Sequence, residues 1–108
     1  MTFQEIQARA LEIRKQYEVV EIKKYGKRWT TEQIAEGLVG DVGDLMKLVQ
    51  AKSGIRDIEH VDEKLSHELA DCLWCIIVLS NEYGIDLEHE FLRTMNALEK
   101  RIQSKSTS

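Results

Sequence analysis

The stretch "EGLVGDVGDLMKLVQAK", Glu36 to Lys52, decides how this chain is read. Its apolar residues continue a line that starts at Ile34 and passes through Leu38, Leu45 and Leu48 at helical spacing, so the segment is an amphipathic helix. Asp41 falls on that apolar line, where a core residue belongs, and Asp44 follows three residues later on a shared face. Gly37, Gly40 and Gly43 recur every third residue. Each costs about 1 kcal/mol relative to alanine in a helix interior. Their repetition predicts close approach to this backbone, by another helix or by a ligand.

Outward from this helix, three more are expected. Helix 1 runs from about Thr2, a candidate N-cap, to Tyr25, with Ile6, Ala10, Ile13, Tyr17 and Val20 at helical spacing and Gly26 closing it. Thr30 or Thr31 caps helix 2, which Gly54 stops near Lys52. Helix 3 spans about Val61 to Tyr83; its second half, "LADCLWCIIVLS", is apolar almost all round and is expected to be the most buried. Asp86 caps helix 4, which carries Phe91, Met95, Leu98 and Ile102 on one face. Short connections between four helices predict an all-α, antiparallel four-helix bundle. The 108 residues fit one domain, with a core over about 2–102 and residues 103–108 as a frayed tail. A helical domain this small often completes its core by oligomerising.

Bulk composition excludes several classes. The chain is 43% hydrophobic and 31% charged, a globular balance, and it lacks proline, which suits long helices. Net charge is −4 with no basic stripe, which argues against a nucleic-acid polymer as partner. The longest apolar run, Leu73 to Leu79, is too short to span a bilayer. Met1 to Arg14 alternates charged and apolar residues, unlike a signal peptide, and two cysteines without an export signal suggest the cytoplasm.

A second acid pair sits in helix 3, where Glu68 and Asp71 are three residues apart and Asp71 is the lone charge between Leu69 and Leu79. An unpaired buried carboxylate costs several kcal/mol, so each of these acids needs a cation, a proton or a wet cavity. Lys47 and Lys64 are expected on the solvent side. Four carboxylates at i and i+3 on two facing helices form a nest of hard oxygen ligands that suits Mg²⁺ or Mn²⁺. The plain alternative is a set of surface acids on amphipathic helices. Cys72 and Cys75 form a CxxC, but two thiols among apolar neighbours do not complete a zinc site, and core packing is the expectation. "HELAD" lacks the second histidine of a zincin, and Trp74 reads as core or subunit interface.

"LVGDVGDLMKLVQAK" followed by "HELADCLWCIIVLSNEYGIDLEHEFLRTM" resembles the MazG-like, all-α nucleoside triphosphate pyrophosphohydrolases, closest to the dCTP pyrophosphatase branch. The resemblance covers about Trp29 to Ile102. The branch motif GEVGEL stands here as "GDVGDL", Gly40 to Leu45, and ExxD as "ELAD", Glu68 to Asp71. The resemblance implies cleavage of a (deoxy)nucleoside triphosphate between the α and β phosphates, Mg²⁺ dependence, and a homo-dimer or tetramer. By position, Asp41, Asp44, Glu68 and Asp71 would hold the metal, and Asp41 or Glu68 would orient or deprotonate the attacking water. Lys52, Lys100 and Arg101 are candidates for phosphate contact. Trp29 is a candidate for stacking on the base, or else a staple against Gln33 or Ile34. The chain departs from the branch at Ala51, where an aromatic is usual, and at Thr94 and Leu98, where lysine and asparagine are usual. These departures favour a rival reading, a non-catalytic helical bundle that keeps the scaffold for interaction.

Overall fold

A computed structural model describes residues 1–106, all helices and turns, with no strand among the described residues. The order is α1 (Phe3–Tyr25), α2 (Thr31–Lys52), α3 (Val61–Glu82) and α4 (Leu87–Ser106). The all-α, four-helix architecture expected from the sequence is therefore the one adopted. Residues 107 and 108, the end of the expected tail, lie outside the described residues; α4 itself continues past Ile102 to Ser106.

Local chemistry sets the ends. The Thr2 hydroxyl accepts from the Glu5 amide, and Gly26 takes the left-handed conformation at φ 78° that ends α1. Thr30 and Gln33 form a reciprocal capping box at the start of α2. Asp86 accepts from the His89 amide ahead of α4. His60 precedes α3 at φ 55° without a side-chain cap.

α2 and α3 make the principal contact of the chain, α1 leans on α3, and α4 has no extended contact with any other helix. Cross-strut partners show that α2 and α3 run antiparallel. Along α2, Asp41, Asp44 and Lys52 meet residues of falling number on α3, namely Cys75, Glu68 and Asp62. The buried apolar side chains are Ile34 and Leu48 of α2, Cys72, Cys75, Ile77 and Val78 of α3, and Ala10 of α1. Trp74 ties α3 to α1, its indole N–H donating to the Ala10 carbonyl at 3.0 Å and its ring tilted against Tyr17.

One expectation is corrected here. The second half of helix 3 is not buried all round: Leu69, Leu73 and Ile76 remain exposed, because α4 does not cover them. The radius of gyration, 17.5 Å, reflects the same projection of α4; a compact chain of this length would have about 13 Å. Within one chain the glycines of α2 are not closely approached. A Cβ built on Gly37, Gly40 or Gly43 meets no atom within 4 Å. Gly40→Ala is accordingly expected to raise the stability of an isolated chain by about 1 kcal/mol through helix propensity, measured by urea unfolding. Destabilisation together with dissociation of an oligomer would instead place a second copy against this glycine face.

Candidate active site

The antiparallel α2–α3 pair brings the acids together. Asp41 lies on the line between buried Ile34 and Leu48, which turns it toward α3. Glu68 faces it, one turn and more before buried Cys72 and Cys75. Oxygens of Asp41, Asp44 and Glu68 lie within 4.8 Å of one another. Asp71 stands outside this group: its carboxylate meets His67 Nε2 at 3.1 Å, and its side chain is 43% exposed. The expectation that Asp71 must shun water rested on all-round burial of α3, which the exposed Leu69 and Leu73 remove.

The electrostatics are those of crowded anions. Burial pushes the Glu68 carboxyl above its ordinary value, and the charges of Asp41, Asp44 and Asp71 push it further, with His67 opposing. Glu68 Oε2 is buried and accepts no hydrogen bond. An acceptor stranded among like charges is a poor arrangement for a chain left to itself. It becomes a good one when a hard cation shared with Asp41 and Asp44 supplies the missing partner, so the donor set fits a divalent ion.

Sequence reasoning missed a contact on the far side of Asp41. The Cys75 thiol donates to Asp41 Oδ2 at 3.7 Å. Burial and the Asp41 charge hold the Cys75 thiol up to about 11, and burial raises Cys72 as well. Both cysteines therefore stay protonated near neutrality, as core residues and not as thiolate ligands. The pairing joins residues 34 apart in sequence and left no local signal.

A cavity of about 540 Å³ opens beside the acids. Asp44 and Glu68 form its acidic edge, and Lys47, Lys64 and His67 also line it. The expectation that Lys47 and Lys64 simply face solvent is thus incomplete: both are exposed, and both border the site.

The expected substrate contacts are dispersed. Lys52 pairs with Asp62 at 2.7 Å near the α2–α3 turn. Lys100 and Arg101 are exposed on α4, away from the packed helices. Trp29 is 46% exposed beyond the end of α1, and its backbone is held from α1. The Trp29 N–H donates to Glu21 Oε1 at 2.8 Å, and its carbonyl accepts from Arg14 Nη2 at 3.3 Å. Arg14 and Glu21, both buried, pair at 2.9 Å. Their seven-residue spacing on an otherwise ordinary amphipathic helix gave no sign of this strap.

Converging carboxylates on two antiparallel helices, beside a cavity bordered by lysines, define an all-α protein with an acidic group able to hold a metal ion. Residues 29–104 match the family model described as the MazG nucleotide pyrophosphohydrolase domain, and the chain belongs to that family. The match supports a hydrolase that acts on nucleotides, in a family generally dependent on metal. It spans α2, α3 and most of α4, including every acid of the site. No curated protein and no solved structure matches the chain.

Proposed function

We propose that the protein is a Mg²⁺-dependent pyrophosphohydrolase that cleaves (deoxy)nucleoside triphosphates between the α and β phosphates, releasing a monophosphate and pyrophosphate. The observation that carries this reading is the convergence of Asp41, Asp44 and Glu68 within 4.8 Å, with a buried Glu68 oxygen left unpartnered. Those three residues, with Asp71 at the margin, are the ligands for Mg²⁺ or Mn²⁺. When bound, the ion supplies charge neutralisation of the phosphates and acidification of a water.

The chain's own groups divide the remaining work. Asp41 or Glu68, converging on one centre, orients or deprotonates the attacking water. Asp41 is held in orientation by the Cys75 thiol on one oxygen, leaving the other for the site. Trp29, strapped by Arg14 and Glu21, offers a half-exposed ring for a base. Lys52, at the end of α2, is assigned to phosphate contact, as are Lys100 and Arg101, the latter two only through assembly, since α4 stands apart in one chain.

A homo-dimer or tetramer is part of the proposal. The exposed apolar faces of α3 (Leu69, Leu73, Ile76) and α4 (Phe91, Met95, Leu98, Ile102) are what a second copy would cover. No described helix is long and apolar enough to cross a membrane. The two free cysteines suit a reducing cytoplasm, and removal of dCTP-like or aberrant nucleotides is the proposed task.

A panel of nucleoside triphosphates incubated with Mg²⁺ tests the reading, with products separated by anion exchange. Monophosphate and pyrophosphate in equal amounts are expected. Thermal stabilisation by Mg²⁺ and nucleotide with no product would select the non-catalytic reading. Orthophosphate as the product would overturn the site of cleavage.

A further inference from the structure

Resting on the hydrolase reading, we propose that Lys47 and Lys64 clamp the pyrophosphate end of the substrate in the cavity between α2 and α3. Lys47 lies one turn after Asp44 on α2, and Lys64 lies one turn before Glu68 on α3. Because the helices are antiparallel, both steps lead the same way, toward the 53–60 connection. The cavity therefore runs from acids to cations along one line, with Asp44 and Glu68 at one end and the two lysines beyond them.

The lysines are available for this role. Neither makes an ion pair or a side-chain hydrogen bond among the described residues. The other cations near the core are committed: Lys52 to Asp62, Arg14 to Glu21. His67 is held by Asp71 at 3.1 Å and stays at the margin. Leu48 and Ile58 give the cavity an apolar wall. A nucleotide placed with its α-phosphorus beside the acids would lay its β and γ phosphates against two ammonium groups from opposite helices. Those charges stabilise the leaving pyrophosphate as negative charge builds on it. Glu63 also lines the cavity and opposes the bound anion.

The probe is inorganic pyrophosphate with Mg²⁺, titrated calorimetrically into the full chain. Lys47→Gln and Lys64→Gln are each expected to weaken pyrophosphate binding about tenfold, the range of one charge-assisted contact. The double variant should lose about a hundredfold. Lys15→Gln, at an exposed position of α1 away from the cavity, should bind as wild type, Glu63→Gln should bind more tightly, and Mg²⁺ alone or a deoxynucleoside monophosphate should bind all variants equally. Lys47→Arg with Lys64→Arg should retain binding, which separates loss of charge from loss of fold. Wild-type affinity in the double glutamine variant, an equal loss in Lys15→Gln, or no pyrophosphate binding by the wild type would each overturn the clamp. Lysine-dependent pyrophosphate binding without turnover of any triphosphate would leave the clamp standing and remove the hydrolase. Turnover with lysine-independent binding would do the reverse.

Discussion

Glu68→Gln is expected to cut pyrophosphate release by roughly 10²–10⁴-fold, the range of a lost general base, while making the metal-free protein melt at a higher temperature. The two effects share one cause. In the folded chain Glu68 holds its proton more tightly than an ordinary carboxyl, because burial and three neighbouring acids disfavour its charge. Its contribution to stability is complete below the ordinary carboxylate range and is lost as pH rises through the interval between the unfolded and folded values. At neutral pH, above the ordinary carboxylate range, this crowded carboxyl therefore works against folding, and glutamine removes that penalty. The advantage of the variant should disappear as pH falls below the ordinary carboxylate range. Saturating Mg²⁺ should reverse the order. Wild type gains about 2.7 kcal/mol at a hundred times Kd, whereas the variant lacks the oxygen charge that earns this gain. Melting curves with and without Mg²⁺, at neutral and acid pH, read all of this. A variant that melts lower than wild type without metal would remove the crowded-acid account.

Arg14→Ala carries the second large effect, a loss of about 3–5 kcal/mol, because it strands Glu21 as an unpaired buried charge. That is a large share of the roughly 5–15 kcal/mol that holds a domain together. The damage reaches the 26–30 connection, since Arg14 and Glu21 grip both backbone groups of Trp29. Lysine at position 14 is a poor substitute, having no planar fork to reach both Glu21 and the Trp29 carbonyl. Replacing the pair together, Arg14→Met with Glu21→Leu, should recover much of the stability while leaving the Trp29 backbone without its strap. Urea midpoints compare the three variants. Equal stability of Arg14→Ala and wild type would mean that the buried pair does not hold this end of the molecule.

The sequence was most informative where periodicity and chemistry conflicted. Asp41 interrupts the line from Ile34 to Leu48, and the same line carries it toward α3; spacing on two facing helices led to the expectation of four converging acids, of which Asp41, Asp44 and Glu68 meet and Asp71 stands outside. Helix ends were legible because Thr2, Thr30, Asp86 and Gly26 each have a local mechanism that needs no tertiary contact. What was not legible depends on partners distant in sequence. Asp71 was read as buried because its neighbours are apolar, yet apolar residues are buried only if something covers them, and α4 does not. The partner of Lys52 was equally hidden, since Asp62 reaches it only once the chain turns back into α3. The Cys75–Asp41 contact and the Arg14–Glu21 strap involve side chains that meet only after the helices pack or the 26–30 connection folds back.

The central claim is that Asp41, Asp44 and Glu68 share one divalent ion. Mn²⁺, used as a paramagnetic substitute for Mg²⁺ and titrated into the metal-free protein, tests it directly through the loss of its free-ion resonance. Wild type is expected to bind Mn²⁺, with Mg²⁺ competing, and Asp41→Asn and Glu68→Gln are expected to lose that binding while keeping their helicity. Undiminished Mn²⁺ binding in both variants would contradict the account.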